Sequence, residues 1–360
     1  MTRTVLVTGG AGFIGSELSR VLVAQGDRAV AADSLHPQVH SAAGRPARLD
    51  PAVELMPVDV TSATAWDAVL RLVRPDAIVH LAAETGTGQS LREASRHGSV
   101  NVLGTTQMTD ALLRHDAVPE HVVLASSRAV YGEGAWADAA GTVHLPRIRR
   151  HEDLEAGRWD PIGRDGVPLR PLAHRAATTP ARPANVYAAT KLAQEHVLEA
   201  WCAATGSSLS VLRLQNVYGP GQSLTNSYTG VLAFFARVAH AQEPIDVYED
   251  GEIVRDFVHV GDVVQALVAA LAAPPGEQGR LLDIGSGAPT TIHDVAREIA
   301  AIEGAPRPVV SGRFRDGDVR AASADIADAR AALGYVPRWD VRAGLDDLLT
   351  WVRDEKPELS

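Results

Sequence analysis

The sequence predicts an α/β fold, a doubly wound parallel sheet with a smaller C-terminal α/β lobe, on three observations. The chain opens on Thr4-Val5-Leu6-Val7-Thr8-Gly9-Gly10-Ala11-Gly12-Phe13-Ile14-Gly15. This is a β-branched apolar run that enters a glycine turn and leaves it as a helical pattern through Leu18, Val21 and Leu22. Up to residue 125, short apolar strands then alternate with helical segments, as in a parallel sheet covered on both faces. Helix and strand periodicity resumes at 185 and runs to the C-terminal residues.

The first unit is a dinucleotide-binding pattern. Gly9 permits the sharp turn, Gly12 lets backbone approach a pyrophosphate, and Gly15 lets the helix pack close to the strand. The helix N-terminus offers unpaired N–H groups to the anion. The second strand, 28–32, ends in Asp33, at the distance from the loop where the fingerprint places an acid on the adenosine ribose. A carboxylate there accepts from two ribose hydroxyls and repels a 2′-phosphate, so NAD is expected rather than NADP.

The following elements continue the alternation. Residues 53–58 form a third strand ending at Asp59, Thr61 is a plausible N-cap for a helix to Leu72, and 77–81 is the fourth strand. Asp59, His80 and Glu84 fall at strand ends, where ligands bind in such sheets; Asp59 serves either an adenine amino group or a helix cap. The small, polar segment 82–90 reads as a cleft lining or as a plain loop. A helix is expected over 99–113, and a fifth strand, 121–125, ends in Ser126-Ser127-Arg128-Ala129-Val130-Tyr131-Gly132. From 133 to 183 the periodicity breaks down, and a stretch of that length suggests a lid or binding loop, with a surface excursion as the competing reading. The division expected is 1–184 as the dinucleotide-binding domain carrying this insertion, and 185–360 as remaining sheet elements interleaved with a substrate lobe.

Composition narrows the class. The chain has 360 residues, 46% hydrophobic and 22% charged, with a formal charge of −10 and no long basic run, which argues against nucleic acid or a membrane surface as partner. The single cysteine, Cys202, excludes an internal disulfide and a multi-cysteine metal site, and it reads as a buried structural thiol. No apolar run approaches the ~20 residues that span a bilayer. With the glycine loop so close to the N-terminus, a cytoplasmic location is expected.

Helical periodicity returns at Asn185-Val186-Tyr187-Ala188-Ala189-Thr190-Lys191, where Tyr187 and Lys191 lie one turn apart on one helix face. A free phenol titrates near 10, and a neighbouring ammonium together with a positive nicotinamide favours phenolate, so Tyr187 could act as a general base. A solvated surface pair is the alternative.

The combination of the glycine loop, Asp33, Ser127 and Tyr187-x-x-x-Lys191 resembles the extended short-chain dehydrogenases/reductases, the nucleotide-sugar epimerase and dehydratase family, over nearly the whole chain. The resemblance selects Ser127 over Ser126, because Ser127 stands four residues before Tyr131 of the Val-Tyr-Gly motif. It implies that Ser127 bonds the reacting oxygen, that Tyr187 exchanges its proton, and that Lys191 holds the nicotinamide ribose. It further implies NAD against Gly9, Gly12, Phe13, Ile14, Gly15, Asp33, Asp59, Val60, Leu81, Ala82, Ala83 and Asn101. A dTDP- or UDP-linked sugar is implied against Thr85, Gln89, Ser127, Arg128, Asn216, Arg255, Arg315 and Asp318, and a homodimer is expected. Arg255 carries the diphosphate in this reading, with an internal pair to Asp256 or Asp262 as its alternative.

Dehydratases of the family place acids directly after the catalytic Thr, where this chain has Arg128 and Ala129. That leaves hydride chemistry at one carbon, either 4-epimerisation or 4-keto reduction. The stretches 126–133, 158–161, 216–224 and 228–230 resemble family members that epimerise dTDP-linked deoxyhexoses. Some of those carry a Cys-x-x-Cys pair in the insertion, where this chain has Pro161-Ile162-Gly163-Arg164-Asp165-Gly166, so no metal is expected.

Overall fold

The computed structural model describes residues 2–40, 44–224, 230–273 and 280–355. Seven strands form one parallel sheet: β1 (Thr4–Thr8), β2 (Arg28–Asp33), β3 (Glu54–Pro57), β4 (Ala77–His80), β5 (His121–Ser127), β6 (Ser208–Leu214) and β7 (Arg280–Ile284). Their order is 3-2-1-4-5-6-7, with β1 inside the sheet between β2 and β4, the doubly wound arrangement in which ligands sit where the order reverses. Register aligns Thr8 with Ala32 on one side and His80 on the other, so the C-terminal ends of β1, β2 and β4 open onto one edge. Val5, Leu6 and Val7 are fully buried because helices cover both faces. The helices Phe13–Ala24 and Val260–Ala272 pack on one face; Ala63–Leu70, Gly104–Arg114 and Val186–Thr205 pack on the other.

Local chemistry places the helix ends. Ser62, rather than the expected Thr61, caps Ala63–Leu70 by accepting from the Ala65 N–H. Thr61 turns back instead, and both its N–H and its hydroxyl donate to Asp59 Oδ1 at 2.9 and 2.8 Å. The helix expected from 99 begins earlier, at Ala94–His97, and passes through a wide π-turn, Gly98–Leu103, before Gly104–Arg114. Asn185 caps Val186–Thr205 through a 2.9 Å bond from the Ala188 N–H, and Gly206 ends that helix at φ +77°. Cys202 is buried in this helix, and burial pushes its thiol up to about 11.

The C-terminal lobe has its own core, in which Leu232 and Phe235 of Val231–His240 meet Val295 and Ile299 of Ile292–Glu303 and Leu345 and Leu348 of Val341–Asp354. Tyr228 and Thr229, part of one stretch that carried the resemblance, lie outside the described residues.

The 133–183 insertion is not an open lid. It folds into a small antiparallel sheet, with Trp136–Ala137 between Val143–His144 and Arg170–Pro171, and clasps the C-terminal lobe. Arg149 donates to Glu249 at 2.8 and 2.9 Å and to the Asp318 carbonyl at 2.9 Å, while Arg320 reaches back to Asp160 at 2.7 Å. Trp136 and Leu169 pack on Ala321. Arg175 pairs with Asp328, and His174 bridges to Ala324.

Candidate active site

A cavity of about 580 Å³ opens along the strand ends, lined by Gly9, Gly12, Phe13, Ile14, Gly15, Asp33, Asp59, Val60, Leu81, Ala82 and Ala83 on one side. The glycines differ in what they permit. A Cβ on Gly9, at φ +65°, would stand 2.9 Å from the Ala82 nitrogen, and one on Gly15 would stand 2.2 Å from the Gly9 carbonyl. At Gly12 the nearest atom would be 3.3 Å away, so there the bare backbone faces the cavity. No side chain caps the N-terminus of Phe13–Ala24 and no acid occupies its first turn, which leaves its N–H groups and positive end to an anion. Asp33 stands at the end of β2, fixed by the Ala11 N–H at 3.0 Å and the Leu35 N–H at 2.9 Å. A turn with open backbone, an uncapped helix end and a strand-end carboxylate form a donor set that fits a dinucleotide. Of its two alternatives Asp59 does not take the helix cap, which is Ser62; it holds the Thr61 turn through Oδ1 and lines the cavity.

Asn101 lies outside this lining. It is fully buried in the π-turn and clamps the backbone of Glu84, accepting from its N–H at 2.7 Å and donating to its carbonyl at 3.0 Å. It therefore acts on the cavity through the loop that follows β4. His80 is also buried, and burial holds its imidazole down to about 3, hence neutral.

Ser127, Tyr187 and Lys191 converge on the opposite wall. The Ser127 hydroxyl faces the Tyr187 phenol and accepts from the Ala129 N–H at 3.1 Å. Ser126 points the other way, donating to Glu195, whose carboxylate is held by Arg213 at 2.7 and 3.0 Å. The surface-pair alternative for Tyr187 and Lys191 fails, since Lys191 is 2% exposed. The expected source of phenol activation changes as well. Burial raises the Tyr187 phenol above its ordinary range, and the groups that lower it are the Ser127 hydroxyl and the Arg128 guanidinium. Lys191 is itself held down to about 7 by burial, with Glu195 opposing.

On the substrate side, Thr85, Arg128 and Asn216 line the cavity, and Arg128 Nε donates to Asn216 Oδ1 at 2.9 Å. The structure places four expected residues elsewhere. Gln89 turns inward because 87–92 is a helix, Thr87–Arg92, and it bonds Gln38 and Glu93. Arg255 and Asp318 pair with each other at 2.7 Å behind the cavity, and Arg315 is exposed with its guanidinium over the Tyr248 ring. The alternative partners of Arg255 are otherwise engaged: Asp256 accepts from Ser286 and Gly287, and Asp262 from Arg338 and Trp339. Sequence reasoning gave no role to Arg96, which lines the cavity and pairs with Glu84 at 2.6 Å. Its only signal was the strand-end position of Glu84.

A glycine-turn dinucleotide cradle facing a Ser-Tyr-Lys wall across one cavity defines a class, and the chain belongs to the NAD dependent epimerase/dehydratase family, whose pattern matches residues 5–159 and 162–285. Among individual relatives, the chain is 55% identical over 353 residues to the dTDP-L-rhamnose 4-epimerase of Burkholderia thailandensis, covering 98% of this chain and 96% of that one. Among solved structures it is similar to the UDP-glucose 4-epimerase of Thermotoga maritima with UDP-glucose, at TM-score 0.77 and 26% identity over 98% of this chain and 99% of that one. The Thermus thermophilus UDP-glucose 4-epimerase in complex with NAD gives TM-score 0.76 and 27% identity, with coverage of 98% and 99%.

Proposed function

We propose that this protein is an NAD-dependent nucleotide-sugar 4-epimerase whose substrate is a dTDP-linked 6-deoxyhexose such as dTDP-L-rhamnose. The observation that carries the reading is the Ser127–Tyr187 pair facing the dinucleotide cradle with no spare carboxylate beside it. Among the described residues, the acids lining the cavity are Asp33, Asp59 and Glu84, and Glu84 is neutralised by Arg96. The similarity to the Burkholderia thailandensis enzyme, at 55% identity, supports the choice of sugar.

Bound NAD supplies the acceptor, and then the donor, of one hydride. This chain's own residues do the rest. Tyr187 takes the proton of the C4 hydroxyl, Ser127 bonds the same oxygen, and Lys191 lies beneath to hold the nicotinamide ribose. Arg128 offers a guanidinium fork to the sugar diphosphate. With no acid–base pair for elimination across C5–C6, the 4-keto sugar persists until it turns over in the cavity. Tyr187 then returns its proton to the C4 oxygen and the epimer forms. A homodimer and a cytoplasmic location belong to the same proposal. Incubation with dTDP-L-rhamnose and no added reduced cofactor tests it: the C4 epimer should accumulate to equilibrium. A 4-keto-6-deoxy product, a requirement for stoichiometric NADH, or turnover confined to UDP-sugars would overturn it.

A further inference from the structure

Lys191 is tied into a buried chain of hydrogen bonds that the chemistry above does not use. Its Nζ donates to Gln194 Oε1 at 2.5 Å, and Gln194 Nε2 donates to Thr105 Oγ1 at 2.9 Å. Thr105 Oγ1 donates to the Asn101 carbonyl at 2.6 Å and lies 2.9 Å from His80 Nε2. His80 Nδ1 in turn meets Thr8 Oγ1 at 2.7 Å, and Thr8 Oγ1 accepts the N–H groups of Leu81 and Ala82 at 3.2 and 3.1 Å. Gln194, Thr105, His80 and Thr8 are all fully buried.

Gln194 Nε2 also lies 3.1 Å from His80 Nε2, so the two N–H groups of this amide face both Thr105 and the imidazole. Thr8 Oγ1 stands against His80 Nδ1, and Thr105 and Gln194 stand against His80 Nε2, so both ring nitrogens are engaged whichever of them carries the proton. Thr105 accepts from Gln194 and donates to the Asn101 carbonyl. The group in contact with the ammonium is an amide, which does not titrate, so the chain anchors Lys191.

We propose that Gln194 is a positioning residue, whose side-chain oxygen holds the Lys191 ammonium in place beside Tyr187 and ties it, through Thr105 and His80, to the strand end that enters the glycine turn. The inference rests on the role given to Lys191 in the proposed reaction. The titratable groups around Lys191 are Tyr187 and Glu195 on its own helix and His80 from β4, with Glu195 already held by Arg213 from β6. Gln194 is thus the neutral acceptor in direct contact with the ammonium.

The chain contains two lysines, Lys191 and Lys356, so lysine labelled at Cε gives an NMR spectrum with two signals, and Lys191→Met assigns them. Removing the acceptor in Gln194→Leu disfavours the ammonium, so the Lys191 titration of the NAD-bound protein should move down by about one to two pH units, the worth of one hydrogen bond to a charge. Gln194→Glu keeps the shape, adds an opposite charge and should move it up. In turnover, kcat of the leucine variant should fall about 10- to 100-fold with KM within about threefold, its alkaline limb moving to lower pH, and the glutamate variant should move that limb the other way. Should the leucine variant not fold, the upward shift in Gln194→Glu carries the test alone. An unmoved Lys191 titration in both variants, or a loss of kcat with no shift of the limb, overturns the inference. Inactivity of the unmodified protein toward nucleotide sugars would refute the proposed function, while the NMR result still decides the role of Gln194.

Discussion

Ser126 and Ser127 stand side by side at the end of β5 and face opposite ways, one into the Glu195–Arg213 ion pair and one onto the Tyr187 phenol. Alternation along a strand dictates that separation, so Ser127→Ala should lower kcat with an unchanged melting temperature. Tyr187→Phe removes only the proton acceptor, and kcat should fall about 10²- to 10⁴-fold while NAD stays bound through purification; retention of most activity would move the base elsewhere. Asp33→Ala should weaken NAD and narrow the preference over NADP, measured by fluorescence titration, and equal affinities in the unmodified protein would contradict the role of Asp33. Among the cations, Arg128 lines the cavity whereas Arg315 lies exposed over Tyr248. Arg128→Met should therefore raise KM more than Arg315→Ala, at about 1.5–3 kcal/mol for one charge-assisted bond. The converse order would place the diphosphate on the outer loop.

At the scale of elements, the glycine turn, the strands and the helix bearing Tyr187 were legible in the sequence because each is a local pattern: period, turn residue, cap. What was not legible depends on distant partners. Thr61 and Ser62 are equivalent caps on paper, and Asp59 decides between them by capturing Thr61. Gln89 reads as part of a polar loop, yet a bond from Gln38 and one to Glu93 turn it inward once Thr87–Arg92 is helical. The insertion shows no period because its order comes from the lobe it clasps. Arg149 is 5% exposed at its side chain and Glu249 1%, so Arg149→Met leaves that carboxylate buried with the single Arg320 contact at 3.1 Å. That should cost about 3–5 kcal/mol in denaturant unfolding. An unfolding free energy within about 0.5 kcal/mol of the unmodified protein, the spread of a surface substitution, would make the insertion the surface excursion weighed at the outset.

Over the whole molecule, one parallel sheet sets the dinucleotide cradle and the Ser-Tyr-Lys wall on the same edge, and the C-terminal lobe adds Asn216 and the far side of the cavity. That arrangement lets a single tyrosine serve both halves of a reversible reaction, because the proton and the hydride each return to the atom they left. The central claim is therefore that nothing bonded to C4 exchanges with water. The most direct test is to supply dTDP-L-rhamnose carrying deuterium at C4, with the NAD-bound protein and no added cofactor, and to follow the product by NMR and mass spectrometry. The account predicts the C4 epimer with its deuterium retained at C4. Loss of the label to solvent, or its appearance in free reduced cofactor beside a 4-keto product, would contradict it.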